Sequence, residues 1–395
     1  MNPSNAPGIK APANHQQAWS ATQAAWRFFN ENVAFPMLST PLFAVAREAA
    51  STSSGSYMLV AHDGCRINFS RHNSKADKVQ FSHARDVGYE LQASLLDGVT
   101  GRPCAPFGLA LLTKQGIYQC QEMTPQPKQS HLDELSSRIQ WQEGLGLNKA
   151  LIHVIDRDAD SLAHLRQLSQ FYWLTRSKPD STLLHQGRHK KVKHIARTLH
   201  TELIGPVTIR GRPGLLFVGE TLVSLQTKSE SDMSGEIPQV RLVQSLVTEE
   251  NGKALARWYL LSNVTTVTTT QIAQWYCWRW NIESWFKLLK SDGFQIEEWQ
   301  QTSGAALFRR LLVSSMACTV VFRLFHDDSK EAEQLKQFLV RLSGRVTKRT
   351  KVITLPALLA GLYVFLQMQE VVNSYTHEQL TALNLTAWRF FGQLV

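Results

Sequence analysis

Residues 268–290 read TTTQIAQWYCWRWNIESWFKLLK. At about 100° per residue, with Tyr276 at zero, Arg279 falls at about 300°, Glu283 at about 340° and Lys290 at about 320°. A phenol, two cations and a carboxylate therefore share one narrow stripe of a helix. Trp275, Trp278, Ile282, Trp285, Phe286 and Leu289 fall between about 180° and about 280° and make an adjoining apolar face. Thr268 with Gln271 has the form of a capping box. Such a helix buries one side and presents its polar stripe along the edge of a cleft. The ordinary reading of a charged stripe is a solvated face, so the remainder of the chain decides what this one does.

Two apolar runs precede it, and each leads into an aspartate. Residues 57–62 (YMLVAH) read as a buried strand ending in Asp63-Gly64, with Arg66–Ser70 as a hairpin partner. Residues 150–155 (ALIHVI) read as a second, ending at Asp156 in the run DRDAD, with a helix over Ser161–Ser169 and a strand over Phe171–Thr175. That is a β–α–β unit with an aspartate at the sheet edge where open α/β folds carry their chemistry. Tyr89–Leu96 and Phe107–Thr113 are further strands, and Ser130–Leu145 is helical. Asp77 and Asp86 are rival carboxylates, but neither ends an apolar strand.

Around this centre, residues 1–15 read as disordered. Gln17–Ala50 reads as helical with a break over Asn30–Thr40, followed by a Ser/Gly linker at Ser51–Ser56. Alternating segments from 180 to 265 indicate a β-rich insertion. It opens with the tract His185–His194, which is basic and solvated or DNA-facing rather than a metal site, because no acidic or Cys ligand lies near it. Helices are expected over Ser303–Phe325, Glu331–Leu342 and Leu355–Gln367, with a basic loop over Ser343–Lys351. The expected units are a short N-terminal helical segment (1–50), the first part of an α/β core (51–180), the insertion (181–265), the last core helix (266–300) and a C-terminal helical region (301–395).

Composition narrows the partners. The 395 residues carry a net charge of +10 and are 43% hydrophobic, with 11 Trp and 18 Phe. A large core is possible, and a polyanion, nucleic acid first, is favoured. The five Cys are scattered without a CxxC pair, which fits a reducing cytoplasm and argues against structural zinc. No signal pattern opens the sequence, and no run reaches about 18 uninterrupted apolar residues, so no membrane is expected. Asp63, Asp156 and Glu283, brought to one sheet edge, are hard oxygen donors of the kind Mg²⁺ takes. Two such ions about 4 Å apart would serve phosphodiester chemistry.

The spacing Tyr276-x2-Arg279-x3-Glu283-x6-Lys290 resembles the Y-R-E-K signature of the IS-four-type bacterial DDE transposases. Residues 154–160 resemble that family's second-Asp segment, and Trp258–Ser262 its strand before the signature helix. The likeness runs from about Ala25 into the C-terminal helices and is strongest over 150–178 and 256–300. Gly64 departs from it, since many members carry Thr after the first Asp. The N-terminal helical region is also shorter than the end-reading domain many members have.

The resemblance implies an RNase H-like mixed sheet flanked by helices. In it, Asp63, Asp156 and Glu283 are the catalytic, metal-binding triad for two Mg²⁺ (Mn²⁺ substituting). Tyr276, Arg279 and Lys290 grip phosphates, and Trp258 stacks on a flipped base. It further implies a cut-and-paste enzyme acting through hairpin ends, in which a homodimer holds terminal inverted repeats and target DNA in a bacterial cytoplasm, at the nucleoid. A catalytically silent DNA-binding inhibitor or domesticated derivative, and a metal-dependent nuclease without strand transfer, are the rival readings.

Overall fold

The computed structural model describes residues 15–31, 33–156, 161–209, 212–226, 238–290, 293–345 and 353–382. The expected disordered N-terminus, the aspartates at 158 and 160, and most of the basic loop over 343–351 lie outside them. Two helices enter first, α1 (His15–Asn30) and α2 (Phe35–Thr52). The expected break shrinks to a few residues because Pro36 sits in the first turn of α2, where a missing N–H costs nothing.

The chain then lays down β1 (Tyr57–Asn68), β2 (Val79–Gln80), β3 (Val87–Asp97), β4 (Pro103–Thr113), β5 (Gly116–Gln119) and α3 (His131–Glu143). β6 (Ala150–Ile155), α4 (Leu162–Gln167) and β7 (Tyr172–Arg176) follow. Next come β8 (Thr182–His185), β9 (Arg188–Lys191), α5 (Val192–Ala196), β10 (Glu202–Ile209), β11 (Arg212–Ser224), β12 (Gln239–Thr248) and β13 (Ala254–Ser262). The helices α6 (Thr269–Trp278), α7 (Trp280–Leu289), α8 (Gly304–His326), α9 (Lys330–Leu342) and α10 (Leu355–Ser374) complete it.

Among the described residues, all thirteen strands join one mixed sheet of order β5-β4-β3-β1-β6-β7-β13-β12-β11-β8-β9, with β2 on β3 and β10 on β11. Within it, β1, β6 and β7 run parallel, while β3 and β4 are antiparallel additions beside β1. This is an α/β, RNase H-like arrangement. The β-rich stretch does not fold away from it: β13 pairs antiparallel with β7 and carries the later strands along the same sheet.

β1 does not stop at Asp63 or turn into a hairpin over Arg66–Ser70. It continues to Asn68 because β3 pairs with it from Leu59↔Asp97 to Asn68↔Gly88. Its parallel pairing with β6 does stop, at His62↔Ile155. Asp63 and Asp156 are therefore the next neighbours beyond the last parallel pair. Period-two alternation sets their faces. Asp63 follows Leu59 and Ala61, and Asp156 follows Ile152 and Val154. This is the side on which α6 and α7 pack.

Ile282, Trp285, Phe286 and Leu289 of α7 bury against Ala61, Leu91 and Ala93, and Trp275 and Tyr276 of α6 against Ile152, Val154 and Leu174. Leu135 and Ile139 of α3 cover the opposite face with Ile155 and Trp173. Burial on both sides explains why residues 150–155 read as a continuous apolar run. Among the described residues two helices are long and apolar enough to cross a membrane by length and composition. In α8 that apolarity serves the core, 72% of its window being buried, whereas only 17% of the α10 window is.

The turn between β3 and β4 holds the α6–α7 junction. Gly101 has φ +74 and lies so close to Trp278 that a Cβ there would meet the indole at 2.5 Å. Asn281 donates to Gly101 O (2.9 Å) and to Asp97 Oδ2 (3.0 Å). Asp97 is fully buried, and burial pushes its carboxyl up to about 8, against the opposing pull of Asn281. A group whose folded pKa is raised stabilises the fold below its unfolded pKa of 3.8, and that contribution is lost as pH rises towards 8. The difference in unfolding free energy between wild type and Asp97→Asn should therefore move in favour of the variant by about 1.4 kcal/mol per pH unit across this window. It should then level off; urea titrations at a series of pH values measure it, and a constant difference would refute the buried-acid account.

Candidate active site

The expected single helix over 268–290 is two helices meeting at Arg279. Thr268 caps the first, with its side chain accepting from Gln271 N and the Gln271 side chain answering its backbone N–H. At the junction the helix tightens locally, with Ile282 N bonding to Arg279 O at 3.2 Å. Arg279 keeps right-handed backbone angles, so the polar stripe survives the break.

Its guanidinium, only 6% exposed, reaches all three candidate carboxylates. It lies 2.8 Å from Asp63 Oδ2, 3.5 Å from Asp156 Oδ2 and 2.9 Å from Glu283 Oε1. Tyr276, also buried, donates to Asp156 Oδ1 at 3.1 Å. Gly64 N donates to Asp63 Oδ1 at 2.8 Å. Residues far apart in sequence thus meet around one cation, and the carboxylates remain partly open to solvent while the cation does not.

Burial pushes the Asp63 and Glu283 carboxyls above the ordinary range, with Arg279 opposing it in both. Burial works against the charge on Arg279 too, but the Asp156 and Asp63 carboxylates outweigh it and hold the guanidinium protonated. Tyr276 is raised by burial and stays a neutral donor. All the donors are carboxylate oxygen, the chemistry a hard divalent cation takes. As they stand they meet through Arg279, not directly. Among the described residues no group of three or more His, Cys, Asp or Glu is arranged to hold an ion.

The other expected residues take distinct places. Lys290 donates to Arg66 O at 2.5 Å and pairs with Glu297 at 3.1 Å, its side chain 30% exposed. Trp258 meets the Tyr276 ring edge-on at 5.5 Å, at the rim of the α6 packing. The rival aspartates are elsewhere. Asp77 is buried and accepts from Tyr89 OH and, at 2.7 Å, from Gly304 N at the start of α8. Asp86 pairs with Arg66 at 2.6 Å. The tract His185–His194 forms the β8–β9 hairpin and the start of α5. Gly64 answers to close approach: a Cβ there would fall 2.6 Å from the Gln92 amide, so Gln92 fills the space a Thr would take. Gln92, Glu90 and His131 line a cleft of about 600 Å³ between β1 and α3 that also reaches Asp63 and Asp156.

Behind the site runs a buried polar chain that the sequence reading did not single out. Its signal was one His inside each of the two apolar strand runs. Arg138 donates to Ser94 Oγ at 2.7 Å. With both imidazoles neutral and the Glu143 carboxylate able only to accept from His153 Nε2–H, the direction runs back along the chain and the Ser94 hydroxyl gives its proton to His62 Nδ1 (2.9 Å). His62 Nε2–H then donates to His153 Nδ1 (2.9 Å), and His153 Nε2–H to Glu143 (3.1 Å). One donor direction fixes both tautomers.

Residues 139–320 match the family model described as the transposase DDE domain. No curated protein matches the chain. The matched stretch contains Asp156 and Glu283 and begins after Asp63, whose association with them rests on the register of β1 and β6. The match supports a transposase.

Burial holds His62 and His153 below the ordinary imidazole value of 6.5. Stability is therefore complete above that pH and falls as pH drops below it, because only the unfolded chain takes up the protons. His153→Leu leaves His62 and Glu143 without their shared partner and should cost about 1–3 kcal/mol at neutral pH. It should also flatten the acid slope, both read by urea denaturation at neutral and mildly acidic pH; an unchanged midpoint would refute the chain as drawn.

Proposed function

We propose that the chain is a cut-and-paste DNA transposase in which Asp63, Asp156 and Glu283 are the catalytic carboxylates. The observation that carries this is the convergence of one carboxylate each from β1, from the end of β6 and from α7 on a single guanidinium. Two of the three lie within the stretch similar to the transposase DDE domain. The triad would hold two Mg²⁺, with Mn²⁺ as a substitute, and bound there the ions would activate the attacking oxygen and stabilise the leaving one.

The protein's own side chains do the rest. Tyr276 fixes the rotamer of Asp156 through its hydroxyl. Arg279 and Lys290 supply the positive charge for phosphates flanking the cut, Arg as a planar fork and Lys as a point charge. Trp258, in the middle of β13 and beside the Tyr276 ring, stacks on an extruded base, a contact worth about 1–3 kcal/mol. In the reaction, hydrolysis at each element end frees a 3′-hydroxyl. That hydroxyl attacks the opposite strand to give a hairpin, a second hydrolysis reopens it, and the 3′-hydroxyls then join target DNA. The partners are double-stranded terminal inverted repeats and target DNA, held by a homodimer that works at the bacterial nucleoid. The net charge of +10 supports a polyanionic partner.

Incubating the protein with its flanking inverted repeats, a target plasmid and Mg²⁺ should give strand-transfer products. Glu283→Gln should lower their yield at least about 10³-fold while duplex binding persists, the scale expected for loss of a group acting in the transition state. Binding without cleavage in either Mg²⁺ or Mn²⁺ would make the chain a silent inhibitor, and cleavage without joining a simple nuclease. Trp258→Ala should reduce hairpin formation by about 10-fold or more relative to first-strand nicking, as loss of one stacked base implies; equal loss of both steps would remove the stacking role.

A further inference from the structure

We infer that Arg279 is a displaceable internal counter-ion, occupying the carboxylate oxygens that a divalent cation needs until a DNA phosphate draws it away. This rests on reading Asp63, Asp156 and Glu283 as the metal-holding triad.

Oxygen bookkeeping is the first observation. Asp63 Oδ2, Asp156 Oδ2 and Glu283 Oε1 all face Arg279. Asp63 Oδ1 is taken by Gly64 N and Asp156 Oδ1 by Tyr276 OH. An incoming cation that takes one oxygen from each carboxylate therefore meets oxygens already engaged at Asp63 and Asp156, and the contacts common to all three carboxylates are those with the positively charged Arg279.

Charge is the second. Three carboxylates and one guanidinium leave a local charge of minus two, which still attracts a divalent cation. The same oxygens cannot serve a divalent cation and a guanidinium together, because the two cations would lie within a few ångströms in a poorly solvated setting. Removing one partner from a buried ion pair is strongly unfavourable, so Arg279 needs a replacement anion before it leaves. A phosphodiester supplies one with matching bidentate geometry.

The third observation is position. Arg279 sits at the junction of α6 and α7, where the helix is already interrupted. Its side chain can swing by χ rotation alone, with the backbone of both helices left in place. Tyr276, by contrast, is held by Asp156 and the α6 core. The chain therefore orders its ligands, duplex first and cation second. The coupling is reciprocal, since DNA that raises cation affinity must itself be bound more tightly when the cation is present.

The test counts bound Mn²⁺ by electron paramagnetic resonance on the full chain, with and without a short duplex of unrelated sequence, after subtracting Mn²⁺ held by the duplex alone. Without DNA, Arg279→Gln should bind Mn²⁺ about tenfold or more tightly than wild type, and Arg279→Lys should be intermediate, within the usual range of such couplings. The duplex should tighten Mn²⁺ binding by wild type and leave Arg279→Gln nearly unchanged. Arg279→Gln binding no tighter than wild type overturns the inference. If that variant does not fold by circular dichroism, wild-type Mn²⁺ affinity that ignores the duplex overturns it instead. Adding Glu283→Gln to Arg279→Gln separates the two levels. Unchanged Mn²⁺ binding in the double variant means the ion is not at the triad, and the metal reading itself falls. Loss of binding there, with wild type and Arg279→Gln equal, removes the counter-ion alone.

Discussion

Three carboxylates cannot be packed to one edge of a sheet unless something positive stands among them, and in this protein that is the Arg279 guanidinium. The architecture around the site serves this arrangement. The parallel pairing of β1 with β6 brings Asp63 and Asp156 side by side and then ends. The turn between β3 and β4 grips Trp278 and Asn281, and so fixes where the α6–α7 junction lies over the strands. The apolar face of α7 supplies the burial that keeps Glu283 one helical turn beyond the arginine, facing the same way. A cluster of this kind is weak evidence for stability, because desolvating the ions costs as much as their attraction returns. Its persistence in a partly open setting points to use.

Much of this was legible in the sequence, and for identifiable reasons. The strand runs and the helix stripe are local patterns, set by period two or 3.6, and they came through. What was not legible is non-local. The bond from Arg279 to Asp63 spans 216 positions, and no periodicity reports it. The family resemblance assigned Arg279 to phosphates, and its place among the carboxylates comes only from the fold. β1 was read too short because Asp63-Gly64 looks like a stop, yet β3 offers it a partner for several residues more. The alternating segments marked residues 180–265 as a β-rich insertion, but the pairing of β13 with β7 that joins it to the core sheet is not a local pattern.

The family match and the geometry contribute different parts. The match covers 139–320 and takes in the second aspartate and the glutamate. The first aspartate is reached through strand register alone. The two lines of support are therefore independent where they meet, at the ion pairs of Arg279.

The buried run from Arg138 through Ser94, His62 and His153 to Glu143 has a consequence for folding fidelity. It takes one member from each of three adjacent strands, β3, β1 and β6, directly beneath the aspartates. Apolar neighbours tolerate a strand sliding by two residues, since such a slide returns side chains to the same face. Hydrogen-bonded imidazoles do not, because each lost partner leaves a buried polar atom unsatisfied. The chain works like a keyed coupling: it accepts one alignment of the three strands, and that alignment is the one in which the two aspartates come abreast.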